Sequence, residues 1–272
     1  MTKPLICQLP DRGVLRLGGD DRRSFLQGLI SNDIALCQPG KPIYAALLTP
    51  QGKFLHDMFA IDNGDDFLID CESVRADDLL KRLRAHKLRA KVTFENVSNA
   101  FAVWASWSGD TPKDFYTDPR LSTLGSRALL KIDLTPDAEV ADFKTYDRHR
   151  LSLGVPDGSR DLVVEKSTLV EGNLDLLNAI SWTKGCYMGQ ELTARMHYRG
   201  LAKKRMFPVR IEGSIPTPGS VITLYGEDVG EMRSSCGNIG LALLNIEKAQ
   251  SGGTFICGDA KLNATKPDWL KL

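Results

Sequence analysis

"TKGCYMGQELTAR", Thr183 to Arg195, sets one cysteine between glycines, beside a lysine, a tyrosine and a Gln-Glu pair. Apolar spacing resumes at Leu192, so a short helix is predicted to start at Gly189 or Gln190 and to end near Gly200. Cys186 then lies in the loop that feeds a helix N-terminus, where unpaired N–H groups and the positive end of the dipole are found. Lys184 is two residues away. Both features favour thiolate and mark Cys186 as more reactive than the other cysteines. Gly185 and Gly189 permit positive φ and leave the sulfur accessible. Glu191, in the first turn, suits the dipole but partly offsets its field on the thiol. The plain alternative is a tight turn that needs its glycines and carries its cysteine incidentally.

The rest of the cysteine pattern narrows the chemistry. Cys7, Cys37, Cys71, Cys186, Cys236 and Cys257 are widely spaced, with no C-x-x-C pair. In a chain this long without a secretory signal a disulfide framework is not expected, and the spacing of a structural zinc site is absent. "LIC", "LIDC" and "FIC" are apolar contexts in which a thiol fills space. A cysteine hydrolase needs a histidine base within hydrogen-bond reach. His197 is eleven residues on, along the same helix, and points along the chain; His56 and His149 are unconstrained by the sequence. The remaining use is a single soft ligand, given transiently to iron or to a cluster held partly by another protein. No stably bound metal is expected.

Composition sets the wider bounds. With 42% hydrophobic and 25% charged residues, the 272-residue chain reads as a globular protein of two or three domains. Lys+Arg 35 against Asp+Glu 34 gives no global pull toward nucleic acid or anionic membrane. No apolar run is long enough to cross a bilayer, and neither a signal peptide nor a transit segment is visible in "MTKPLICQLPDRG". A cytoplasmic setting is expected, or the mitochondrial matrix in a eukaryote.

Residues 14–17 read as a strand and 43–48 as an apolar run, and Asp20 or Asp21 as the cap of a helix bearing Phe25, Leu26, Leu29 and Ile30. "FLHDMFAI" and "FLIDC" form a hairpin across "DNGDD". A helix follows with Leu79, Leu80 and Leu83 inward and Lys81, Arg82, Arg84 and Lys87 outward, then strands "AKVTFENV" and "FAVWASW". The β-β-α-β-β order resembles half of a ferredoxin-like sheet. A further helix is predicted from N-cap Thr135 and Pro136 to Gly154. From Lys203 on, short apolar runs alternate with Gly, Pro and Asn, as in a small β-barrel.

"KGCYMGQELTAR" resembles the K-G-C-Y-x-G-Q-E motif of the YgfZ-type proteins, folate-binding relatives of the glycine-cleavage aminomethyltransferase. It is most similar to the branch that includes the mitochondrial iron–sulfur cluster assembly factor. "RGVLRLGGDDRRSFLQGLISNDI" is similar to that family's opening, with its F-L-Q-x-L-x-x-N-D core, and "LLTPQGKFLHD" to its glycine turn and following strand. "LVEGNLDLLNAISWTKGCY" resembles the lead-in to the cysteine loop.

The resemblance implies an α+β fold of three parts in a ring around a central opening: ferredoxin-like α/β pieces and a C-terminal β-barrel. The parts map to residues 1–50 with 135–201, 51–134, and 202–272. It implies a role in assembly or repair of [4Fe-4S] proteins, with an indirect effect on tRNA thiomethylation. Implied partners are a reduced folate, iron–sulfur assembly proteins and [4Fe-4S] client enzymes; no direct nucleic-acid contact is expected. Tetrahydrofolate or a derivative is the implied cofactor. Cys186 and Lys184 carry the chemistry, and Asp57, Trp182, Tyr187, Gln190, Glu191 and Arg195 are the implied folate and loop contacts.

Two departures qualify the aminomethyltransferase side. Where those enzymes carry an R-L-E-A-G stretch whose glutamate contacts the pterin, this chain has "RLSLG", with Ser152. Serine cannot replace a carboxylate that meets two pterin donors. Their Asp-Asp pair is here His56-Asp57. Asp57 alternates with Leu55, Phe59 and Ile61 on an apolar face, so it should be paired, ligand-facing or shifted in pKa. Whether the chain is an enzyme stays open. The competing readings are a folate-dependent methyl or aminomethyl transferase and an RNA-binding module using Lys81, Arg82 and Arg84.

Overall fold

The computed structural model describes residues 3–272. The chain divides into two compact units, one of residues up to 51, 55–143 and 177–190, the other of 52–54, 144–176 and 191–272.

The first unit contains β1 (Leu5–Gln8), β2 (Arg12–Gly18), α1 (Arg22–Gln27), β3 (Ile43–Leu48), β4 (Phe54–Asp62) and β5 (Asp66–Glu72). It continues with α2 (Ala76–Ala85), β6 (Thr93–Asn96), β7 (Phe101–Trp107), β8 (Tyr116–Thr117), β9 (Ser126–Lys131) and β10 (Glu139–Val140). The strands form two five-stranded sheets, in the orders β3-β4-β5-β2-β6 and β10-β1-β7-β9-β8. The predicted strands, the β4–β5 hairpin and α2 are present, and Leu79, Leu80 and Leu83 are buried. The ferredoxin-like half-sheet is not: β6 pairs with β2, whereas β7 crosses to the other sheet. Residues 102–107 are buried throughout, so β7 needs a partner on each edge and finds β1 and β9. Asp21 stands before α1, but its carboxylate accepts from the Lys91 N–H instead of capping the helix.

Period-two alternation along β4 sends His56 and Asp57 to opposite faces. The buried His56 meets Asp78 of α2, with Nε2 2.9 Å from Oδ2. Burial and the Arg75 guanidinium push the imidazole pKa down to about 4, against the pull of Asp78. An unfolded chain, with an ordinary histidine near 6.5, therefore takes up that proton first as pH falls. The stability owed to neutral His56 is complete above about pH 6.5 and is lost toward pH 4. Thermal unfolding midpoints should drop across that interval and drop less for a His56→Gln chain. Parallel profiles would mean the imidazole titrates as in the unfolded chain.

Apolar stripes fill most of the first unit, but an ion cluster occupies part of it. Asp70 of β5 accepts from Arg12 Nε of β2 and from an Arg127 terminal nitrogen of β9, both at 2.6 Å. Asp118 and Arg120 pair in two-pronged fashion at 2.8 and 3.0 Å. Although burial works against it, the Arg120 guanidinium holds the Asp118 carboxyl below the usual range. Arg127, Arg120 and Arg12 sit 4.1, 5.0 and 5.7 Å from the Phe59 ring centre. The aromatic face takes up part of the charge that water would otherwise solvate.

The helix predicted from Thr135 starts later. Its first part instead supplies β10, which pairs parallel with β1 through Leu5 and Ile6. The open edge of β1 offers hydrogen bonds that outweigh the Pro136 start signal. The helix itself is α3 (Phe143–Ser152), and the predicted stop at Gly154 holds, with φ +74.

The second unit adds α4 (Gly158–Asp161), α5 (Gln190–Tyr198), β11 (Lys204–Glu212), β12 (Val221–Leu224), β13 (Glu227–Cys236) and β14 (Ile239–Asn245). It ends with α6 (Ile246–Ser251), β15 (Phe255–Cys257) and β16 (Ala260–Ala264). Its strands close into an antiparallel barrel ordered β11-β14-β13-β12-β15-β16, as the alternating runs after Lys203 predict. Phe207, Val209, Ile222, Leu224, Met232, Leu244 and Phe255 fill it. Tyr225 and Gly226, both at positive φ, make the tight turn between β12 and β13. Within this unit, which holds α3 from Lys144 on, Arg150 bonds Asp147, Asp161 and Ser234 at 2.6, 2.7 and 2.9 Å.

Candidate functional site

The cysteine loop is fastened to the end of α1 by a lysine. A helix leaves its last carbonyls without partners. Lys184 Nζ donates to three carbonyls there, Gln27 at 2.7 Å, Ile30 at 2.7 Å and Asn32 at 2.8 Å. Its ammonium also lies 5.1 Å from the Tyr187 ring centre. Burial pushes the Lys184 pKa down to about 8, and Asp33 pulls it upward. The lysine expected to support a thiolate thus spends its protons on carbonyls, as a clamp.

Backbone bonds complete the fastening. Met188 N–H donates to the Gly28 carbonyl at 3.1 Å, and Ser181 N–H to that of Ser31 at 3.1 Å. Gln190 Oε1 accepts from the Tyr187 N–H, and Ser181 Oγ from the Lys184 N–H. Gly189, at φ +80, makes the bend that a side chain would strain, and α5 starts at the next residue as predicted.

Cys186 stands exposed on this loop, while Cys7, Cys37, Cys71, Cys236 and Cys257 are buried. Burial pushes the thiols of Cys7 and Cys37 up to about 11 and that of Cys71 up to about 12. Cys186 is the one thiol of the six within reach of a partner.

The other expected residues fall into three places. Tyr187 is buried, and Trp182 and Gln190 are half-buried in the loop. Glu191 and Arg195 are exposed on α5. Asp57 is buried on β4 and accepts from the Tyr44 hydroxyl at 2.9 Å. Asn32 connects the loop to Asp57's partner. Its carbonyl takes Lys184, while its side-chain amide donates to the carbonyls of Tyr44 and Asn178, both at 2.8 Å. A cavity of about 380 Å³ lies along this link, walled by Asn32, Tyr44, Pro119, Asn178, Ile180 and Ser181. Gln27, Asn32 and Ser181 were not singled out by sequence reasoning. The F-L-Q-x-L-x-x-N-D core contains the first two, and it was the signal available.

The carboxylate contact that an aminomethyltransferase makes to its pterin is missing at Ser152. The Ser152 hydroxyl at the end of α3 donates to the His149 carbonyl at 2.7 Å. It borders a cavity of about 320 Å³ that also carries Arg148, Arg210 and Asn238 and no carboxylate. Two pterin N–H donors would find no anionic acceptor there. Asp57 is only 2% exposed and already holds Tyr44. Among the described residues, no group of three or more His, Cys, Asp or Glu is gathered as a resident metal requires. No helix among them is long and apolar enough to cross a membrane.

Comparison with known proteins adds to this geometry. Residues 6–107 match the family described as the GCVT N-terminal domain, and residues 203–272 that of the CAF17 C-terminal beta-barrel domain. The chain is 35% identical over 300 residues to the mitochondrial iron-sulfur cluster assembly factor IBA57 of Homo sapiens, covering 96% of this chain and 84% of that one. To the same factor of Mus musculus it is 33% identical over 302 residues, with the same coverage. The solved glycine cleavage system aminomethyltransferase T of Bartonella henselae is similar with a TM-score of 0.77 at 13% identity, covering 99% of this chain and 87% of that one. At that identity the likeness is one of fold.

Proposed function

The chain belongs to the IBA57/CAF17 family of iron–sulfur cluster assembly factors, and on that footing we propose that it serves assembly or repair of [4Fe-4S] proteins by presenting Cys186 from a clamped loop. The observation that carries this reading is the exposure of Cys186 alone among six cysteines. Iron or a cluster is the cargo. Cys186 gives up its proton to solvent and binds iron through sulfur as a partner's ligand departs; the partner keeps the remaining ligands. Lys184, Tyr187 and Gln190 keep the loop from collapsing over the sulfur. Assembly proteins and [4Fe-4S] enzymes are the partners, in the cytoplasm or the mitochondrial matrix. Any effect on tRNA thiomethylation runs through radical enzymes that carry such clusters.

A reduced folate belongs to this reading as a weakly held ligand in the opening that the aminomethyltransferase resemblance implies. The missing carboxylate at Ser152 supports the weakness and argues against aminomethyl transfer. Titration of the purified chain with tetrahydrofolate, followed by tryptophan fluorescence, tests it. Ser152→Glu should tighten binding at least tenfold, the worth of one charge-assisted pair of about 1.5–3 kcal/mol. Equal affinities would remove Ser152 from the folate site. No saturable signal in either chain would remove the folate from the proposal and leave the cysteine reading standing.

A further inference from the structure

The turn that leaves α2 carries a concentrated charge the cysteine loop does not explain. From Lys81 to Lys91 the chain holds Lys81, Arg82, Arg84, Lys87, Arg89 and Lys91 and no acidic residue. Arg82 is drawn inward onto Asp78 at 2.8 Å, and Arg84 reaches the Phe94 carbonyl at 3.3 Å. Lys81, Lys87, Arg89 and Lys91 are exposed, and no ion pair engages their side chains among the described residues. Like charges this close repel one another, so the arrangement costs stability unless an anion meets it.

In the middle of these cations stands Leu88, 90% exposed, with φ +43. The left-handed region after a helix end is where glycine is ordinarily found. A leucine there pays twice, in backbone strain and in apolar surface shown to water. Residues held in such conformations cluster at binding sites.

We propose that the α2 exit turn, Lys87-Leu88-Arg89 with Lys81 and Lys91, docks an acidic protein segment that carries an apolar anchor for Leu88. Charge complementarity selects the acidic partner, and the leucine selects a protein. The one exposed aromatic ring between Lys81 and Lys91, that of His86, is tied back to the Arg82 carbonyl at 2.9 Å, and Phe94 packs edge-on against Phe25 at 5.6 Å, so the turn offers no free stacking platform for bases. Exposed Glu95 pairs with Arg16 at 3.0 Å, leaving the patch a spot and not a track for a phosphate backbone. The surface lies outside the cysteine loop, so the inference does not depend on the role of Cys186.

The test uses the full chain and a fluorescent, glutamate-rich peptide of about sixteen residues with leucine at every fourth position. The arms are the same peptide with serine for leucine, a single-stranded RNA of similar length, and phosphatidylserine-containing vesicles. The expected result is that the leucine peptide binds most tightly. Lys87→Glu with Arg89→Glu should weaken it at least tenfold, and Leu88→Gly several-fold. Leu88→Gly should also raise the thermal midpoint, because glycine relieves the φ strain. That rise shows that weaker binding does not come from unfolding. Cys186→Ser should bind the peptide like the wild type. Preference for RNA or vesicles, equal binding by the serine peptide, undiminished binding by Leu88→Gly, or no binding of any probe overturns the assignment.

Discussion

A Cys186→Ser chain should fold like the wild type and fail to support [4Fe-4S] enzymes. The side chain is exposed, so replacing sulfur by oxygen touches no core contact, and surface changes of this kind stay within about 0.5 kcal/mol. The hydroxyl is a far poorer ligand for iron than a thiolate. In cells that lack the chain, the activity of a [4Fe-4S] enzyme should be restored by the wild type and remain at the deletion level with Cys186→Ser. A matched comparison with Cys71→Ser, whose thiol is buried, separates chemistry from abundance once protein levels are measured. Iodoacetamide at pH 7 should alkylate Cys186 before the other five. Wild-type rescue by Cys186→Ser would take the thiol out of the mechanism, and slow, even labelling of all six would contradict the exposure on which it depends.

Asp70→Asn should be the most damaging conservative change in the first unit. Asp70 is fully buried between Arg12 and Arg127, each bonded at 2.6 Å. Neutralising it leaves two guanidiniums short of a counter-charge in the interior, and breaking a buried pair from one side costs about 3–5 kcal/mol. For a chain of this size that lowers the unfolding midpoint by roughly 10 °C. Asp70→Asn combined with Arg127→Met should recover part of the loss, because one of the stranded charges is gone. The check is a double-mutant cycle by denaturant unfolding. A single-variant loss under about 1 kcal/mol would show that Phe59 and the neighbouring carboxylate Asp118 already neutralise the guanidiniums without Asp70.

Both expectations concern residues that the sequence shows unequally. Cys186 stood apart in the sequence as the one cysteine in a glycine-rich polar context, although the residues alone left open a turn that carries it incidentally. The start of α5 at Gln190 followed from apolar spacing, and the barrel from short alternating runs with turn residues between them. Asp57 was marked by its place on an apolar face, but its partner, Tyr44, lies on another strand. Arg12, Arg120 and Arg127 gave no sign of being buried, since an arginine reads as surface until the sheets that enclose it are known. The partition of β6 and β7 between two sheets was equally invisible, because pairing across the chain leaves no local pattern.

Local chemistry therefore determined the glycine bends of the loop, the family and the closed barrel, all of which rest on spacing and residue type within short windows. Tertiary structure decided what Lys184 does. Its sequence neighbour is the thiol, yet its ammonium is held by carbonyls more than a hundred and fifty residues earlier in the chain. A desolvated cation takes the best acceptors that folding brings within reach, and a helix end with unfilled carbonyls satisfies it more fully than one sulfur standing in water.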